Sequence, residues 1–301
     1  MNPIKYLNYW IQIIFVLKII LRLGNIKLRK IIVWIFILTV LGTYLYFSIS
    51  QNLKTERNTV AISLSDTSIG SSSLSVAVIG DVHLPEGSKH LDRFEKLVLE
   101  IKSTQPDLVV FVGDYTSDPK AMDDMSSHRK NIINIMKLTD PLPRAVVLGN
   151  YESWSDAEEW IREFNELGVD IMENETSMFQ TVKGDVCIRG LGDKYTDRYS
   201  YVDYLEECEN IPKFTITHDP AGAFNARVKG LVVAGHTHCG QISIPFIGPL
   251  WVPSDAPSDA HCGLYEDDQR TVFVTSGVGT TILPLRFGAQ SHWDELNISW
   301  N

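Results

Sequence analysis

The stretch "VVAGHTHCGQISIP", residues 232–245, closes an apolar run on a glycine and then places His236 and His238 two positions apart. A short buried run that stops at a glycine and then delivers two imidazoles reads as a strand end in an α/β sheet, the edge where functional groups of such sheets collect. Two histidines alone do not make a site. The other strand ends decide the reading.

Short apolar runs recur along the chain as "LSVAVIG" (74–80), "DLVVFVG" (107–113), "RAVVLG" (144–149), "KFTIT" (213–217), "GLVVAG" (230–235) and "TVFVTSG" (271–277). Between them, helical spacing predicts helices over 89–103, near 120–138 and over 155–168, the last opening on a Ser-Asp cap and ending at Gly168. This alternation predicts an α/β layered domain.

The strand ends continue as "GDVHLP", "GDY", "GNYE", "THDP" and "GHTHCG", and so supply Asp81, His83, Asp114, Asn150, His218, His236 and His238. Seven oxygen and imidazole donors exceed what one tetrahedral ion takes but suit two adjacent ions sharing a bridging carboxylate. A glycine before most of the donors would let the backbone turn away from the strand and the ions come close. No G-x-S-x-G elbow, P-loop or H-E-x-x-H motif is present, which removes serine-hydrolase, P-loop and zincin chemistry.

The order D-x-H, G-D, G-N, H, G-H-x-H resembles that of the calcineurin-like metallophosphoesterases over residues 74–300. "GHTHCGQISIP" and "SGVGTTILPLRFGAQ" (276–290) resemble the membrane-anchored branch that holds the YkuE-type phosphoesterases and, more distantly, UDP-diacylglucosamine pyrophosphatases. The resemblance implies a four-layer αββα sandwich, the metallo-dependent phosphatase fold, with a dimetal site at its carboxyl edge. It assigns Asp81, His83 and His238 to a first ion, Asn150, His218 and His236 to a second, and Asp114 to the bridge. It also implies hydrolysis of a phosphoester or pyrophosphate bond, a hydroxide between the ions attacking phosphorus in line.

One position departs from the family's usual G-N-H-[DE], because Tyr151 follows Asn150 where a catalytic histidine is expected. A histidine titrating near ~6.5 donates a proton at neutral pH, whereas a tyrosine near ~10 does not. The expected substrate therefore carries a good leaving group, and Tyr151, Asn150 and His236 are the expected catalytic residues. The rival reading is a tethered metal-binding module weakened by Tyr151. A mixed nitrogen and oxygen donor set suits Mn²⁺, Fe or Zn²⁺.

The first fifty residues differ from the rest, with Lys5, Lys18, Arg22, Lys27, Arg29, Lys30 and no acidic residue. The whole chain is −10, so the remaining 251 residues carry −16, which argues against nucleic acid as a broad partner. Residues 31–49 are uncharged and close to the ~20 residues that span a bilayer, which predicts a membrane anchor over 1–50. A cleaved signal peptide is the alternative, and Tyr9–Leu23 reads as an interfacial helix or a second span. The basic cluster before the span predicts a single-pass protein of the cell (inner) membrane, its domain on the non-cytoplasmic side.

Residues 51–73 are Ser-rich and read as a linker, with the domain over 74–301. Anchoring makes a small anionic phosphoester or lipid-linked pyrophosphate the expected substrate. Of four cysteines without C-x-x-C spacing, Cys239 and Cys262 are the expected pair. His90, His128, His261 and His292 are assigned to packing or the surface. The Pro- and Gly-rich 245–265, with Phe246 and Trp251, is either an irregular connection or a cleft wall.

Overall fold

The computed structural model describes residues 26–65, 69–244 and 246–301. The chain divides into two units, Met1–Ser50 and Gln51–Asn301.

Helix α1 (Ile26–Asn52) has 27 residues, and Ile31, Trp34, Leu38 and Tyr46 on it are exposed. Its apolar residues surround the axis, unlike the single stripe of a helix packed on a core. Among the described residues no helix is long and apolar enough to cross a membrane. The span expected over 31–49 takes in Phe47 and Ser48, whose side chains lie outside the described residues, as does all of Tyr9–Leu23.

The second unit opens earlier than expected, with strand β1 (Glu56–Leu64) lying inside the supposed linker. Asn58, Val60, Ile62 and Leu64 turn inward in alternation with exposed neighbours, the period of a half-buried strand. The polar composition of 51–73 concealed this edge strand. The expected start at Leu74 falls inside the next one, β2 (Ser72–Ile79).

Two sheets form the body. The first runs β1, β13 (His292–Trp300), β2, β3 (Leu108–Val112) and β4 (Arg144–Val147), with β2, β3 and β4 parallel and β13 antiparallel to β2. The second runs β11 (Gly263–Glu266), β12 (Arg270–Val274), β8 (Gly230–Ala234), β7 (Lys213–Ile216), β6 (Gly184–Gly190) and β5 (Glu175–Thr181). Its four central strands are parallel, and the short antiparallel pair β9 (Ser243–Ile244) and β10 (Gly248–Pro249) stands apart from both sheets. All six strands expected from sequence are present.

Val76, Val78, Val110 and Val147 of the first sheet pack on Ile188, Phe214, Ile216 and Val233 of the second. The alternate residues Ala77, Ile79, Val109 and Phe111 face helices α2 (Ser88–Ser103), α3 (Met125–Met136) and α5 (Ala157–Glu166), through Phe94, Val98, Ile132, Trp160 and Phe164. A one-turn helix α4 (Asn150–Trp154) precedes α5. Asp156 caps α5 by accepting the Glu159 N–H, as its sequence predicts.

The outer face of the second sheet corrects the four-layer expectation. Val232, Ala234, Val272 and Val274 are covered by Leu191, Ala223 and Val228, which lie in irregular chain and single 3₁₀ turns. Residues 191–229 lack helical apolar spacing, so among the described residues this fourth layer is loop. Two disulfides join Cys239 to Cys262 and Cys187 to Cys208, and no described cysteine is free.

Candidate metal centre

β2, β3 and β4 run parallel, so their carboxyl ends reach one edge, and β7 and β8 reach it from the other sheet. Asp81 and His83 follow β2, Asp114 follows β3, Asn150 follows β4, His218 follows β7, and His236 and His238 follow β8. All seven are buried, none more than 5% exposed.

The donors approach in two groups, Asp81, His83 and His238 in one and Asp114, His218 and His236 in the other, each with ligand atoms within 4.8 Å. His83 Nε2 lies 2.8 Å from His238 Nε2, and His218 Nε2 lies 3.1 Å from both His236 Nδ1 and Asn150 Oδ1. Asp114 Oδ2 stands 3.5 Å from His83 Nε2 and 3.3 Å from His218 Nε2, and so reaches both groups. The expected bridging position is thus occupied by a carboxylate between two imidazole clusters. His218 Nδ1 lies 2.7 Å from the Val112 carbonyl, an outer contact of the kind that orients a ligating ring.

The backbone explains the convergence. Asp81, His83, Asp114, His236 and His238 all have φ between 47° and 70°. Each left-handed residue costs about 1–2 kcal/mol, strain that accumulates at functional sites. The glycines serve differently from one another: Gly113 is itself left-handed at φ 93°, while a Cβ on Gly149 would collide with Asp114. Room for the donors, more than turning of the chain, is what Gly149 provides.

Burial pushes the Asp81 carboxyl up to about 7 and the His83 ring down to about 4. Burial also acts to raise Asp114, but the facing His218 outweighs it and holds the group at about 2. Burial opposes charge on His218, and the carboxylate of Asp114 overcomes that to raise it well above its ordinary value. His238 is pushed well below its ordinary value by burial and then by His83 and Arg286.

A family profile described as calcineurin-like phosphoesterase matches residues 74–240, more than half of the chain and all seven donors. The chain belongs to the calcineurin-like phosphoesterases. It is similar to the metallophosphoesterase YkuE of Bacillus subtilis, 26% identical over 71% of this chain and 75% of that protein. A Campylobacter jejuni metallophosphoesterase is 31% identical over 87% of this chain and 68% of its own length. The phosphodiesterase YaeI of Escherichia coli is 24% identical over 58% of this chain and 64% of its own. These relatives place it in the YkuE-type branch, and it is a metallophosphoesterase.

Where this family member departs from the usual motif, the Tyr151 ring stands edge-on to His83 at 4.6 Å, and its hydroxyl pairs with Thr281 Oγ1 at 2.6 Å. Trp154 lies 5.0 Å from the Tyr151 ring and 6.3 Å from Tyr195, which itself lies 4.7 Å from His236. Tyr151, Trp154 and Tyr195 thus form an aromatic rim. Within 246–265 the chain packs against the site at one point, where the Pro253 carbonyl lies 2.5 Å from His236 Nε2. Trp160 is core, and His128, His261 and His292 bond to Leu84, Ala256 and Ser276 as packing residues.

Sequence reasoning passed over two supporting residues. The buried Glu152 carboxylate accepts the backbone N–H groups of Asp114, Tyr115, Thr116 and Gly149. The Arg286 guanidinium donates to the Ser276, Gly277 and Gly279 carbonyls and stands 3.0 Å from His238 Nδ1. Glu152 was visible as the acidic end of "GNYE". Arg286 lies 48 residues beyond His238, and only the fold brings it back.

Proposed function

We propose that the chain hydrolyses a phosphodiester or pyrophosphate bond in a small anionic substrate at the membrane, using two divalent ions. The observation that carries this is the pair of buried donor clusters joined by Asp114. The donor chemistry fits the ions: ring nitrogens and carboxylate oxygens converge on two points, and His83 Nδ1 is buried without a partner. Asp81, His83 and His238 would hold one ion, Asn150, His218 and His236 the other, and Asp114 both, with Mn²⁺, Fe or Zn²⁺ the suitable metals.

When bound, such ions clamp phosphate oxygens, offset developing charge and activate water. The chain's own residues orient and exclude. Glu152 fixes the loop carrying Asp114 through its N–H groups, and Arg286 packs behind His238. Tyr151 offers its hydroxyl as a hydrogen-bond donor at the rim. Burial raises its pKa further, so it supplies no proton transfer at neutral pH and favours a substrate with a good leaving group.

Anchoring through 31–49 and a non-cytoplasmic domain complete the reading. The basic residues before the span support that sidedness, as do two disulfides, bonds that persist in oxidising compartments. Metal analysis and turnover of bis(4-nitrophenyl) phosphate by the full chain test the function. Two ions with turnover are expected. Two ions without turnover would favour the tethered binding module, and failure to bind metal would overturn both.

A further inference from the structure

A groove of about 670 Å³ opens beside the candidate metal centre, and Val82 and His83 line its inner end. That volume lies within the ~300–1,000 Å³ of small-molecule sites. Its floor is apolar, with Leu84 and Phe94 buried and Leu97 half-buried. Its outer lip is apolar as well, where Ile282 is 83% and Leu283 47% exposed. Along the α2 wall stand Arg93 and Lys96, which have no acidic partner among the described residues, and Glu100 is the one acid in the lining.

We propose that this groove holds the apolar tail of an amphiphilic phosphoester whose phosphate sits at the metal centre. The inference rests on the phosphoesterase reading above and specifies its substrate class. Four observations converge. The groove is continuous with His83, so a molecule lying in it places its head against the donor cluster. Exposed isoleucine and leucine at the lip lose water contact only when a hydrophobic occupant covers them.

The free cations Arg93 and Lys96 complement an anionic head, while the rest of the unit is acidic. Finally, Leu53, Lys54 and Thr55 line the groove and follow directly in sequence on the apolar α1. A tail drawn from a bilayer matches this arrangement. A wholly soluble phosphoester leaves the floor and lip unused.

The test uses the full chain in phosphatidylcholine nanodiscs and 4-nitrophenyl alkyl phosphates, methyl to dodecyl, with the leaving group constant. KM is expected to fall about twofold or more per added methylene until the groove is filled, at constant kcat. Leu283→Glu and Leu97→Glu should flatten that dependence in the same bilayer, and Leu283 is exposed enough for its variant to fold. A KM independent of chain length, or a dependence that both variants retain, overturns the groove while leaving the hydrolase reading intact.

If no ester is turned over, the hydrolase reading fails and the groove is read separately by photolabelling with a dodecylphosphonate bearing a terminal diazirine. Label on 84–97 and 278–284 that Leu283→Glu diminishes supports the groove. Label elsewhere overturns it.

Discussion

Glu152 holds Asp114 through the backbone: its Oε2 accepts the Asp114 N–H at 2.8 Å and the Gly149 N–H at 2.9 Å. Its Oε1 takes the N–H groups of Tyr115 and Thr116. One carboxylate therefore joins the loops after β3 and β4, which carry Asp114 and Asn150. Burial pushes Glu152 up to about 7, but four donors around it favour the ionised form.

Glu152→Gln follows from this. An amide places an NH₂ against two N–H groups, leaving buried donors unpaired at about 1–3 kcal/mol each. A loss of about 2–4 kcal/mol in urea unfolding is expected, together with an about hundredfold fall in kcat as the Asp114 loop loosens. Unchanged stability and activity would show that the loop is held without Glu152.

Asp114→Asn separates ligation from folding. The amide keeps the shape and can still accept the Tyr151 N–H that Asp114 Oδ1 receives at 2.9 Å. It loses the charge shared between the two imidazole groups. Metal content is expected to fall from two ions to one or fewer and kcat by about a thousandfold, with the thermal midpoint of the metal-free protein little changed. Retention of two ions would refute the bridging role.

The same residues show what was legible. Six strands and three helices were readable because their apolar runs are continuous or periodic, and all seven donors were readable because each follows a strand end. β1 was hidden because an edge strand with one inward face resembles a polar linker, and β13 because "HWDELNISW" mixes charge with aromatics. Arg286 and the groove depend on contacts between distant segments, Arg286 with His238 and the 278–284 loop with α2, which no local pattern encodes.

Tyr151→His probes the leaving group. The native phenol donates a hydrogen bond but not a proton at neutral pH, so activity should depend steeply on leaving-group acidity. The histidine variant should gain about tenfold or more on an alkyl monoester relative to an aryl diester, since general acid help is worth about 10²–10⁴. An unchanged aryl-to-alkyl ratio would remove Tyr151 as the determinant of preference.

Cys262→Ser tests the Cys239–Cys262 bond, which closes a loop of 23 residues beside His238. Chain-entropy reasoning gives a loss of about 3 kcal/mol. The same change should weaken metal retention, because Cys239 adjoins His238. Equal stability of oxidised wild type and variant would show the bond absent from the native protein.

Metal loading should carry a defined proton release. Asp81, pushed up to about 7 by burial, is largely protonated at pH 6, and so is His218, raised well above its ordinary value. His83, lowered to about 4, is already neutral there, and Asp114 at about 2 is already ionised, while burial shifts His236 and His238 in the same direction as His83. A ligand must shed its proton to bind, so loading two ions at pH 6 should release about two protons. Raising the pH through 7 removes the Asp81 proton beforehand, so release falls towards one and affinity at the Asp81 site rises about tenfold between pH 6 and 8. Calorimetry in buffers of different ionisation enthalpy reads both quantities. Affinity that stays flat from pH 6 to 8, or strengthens on acidification, would exclude Asp81 as a ligand with this environment.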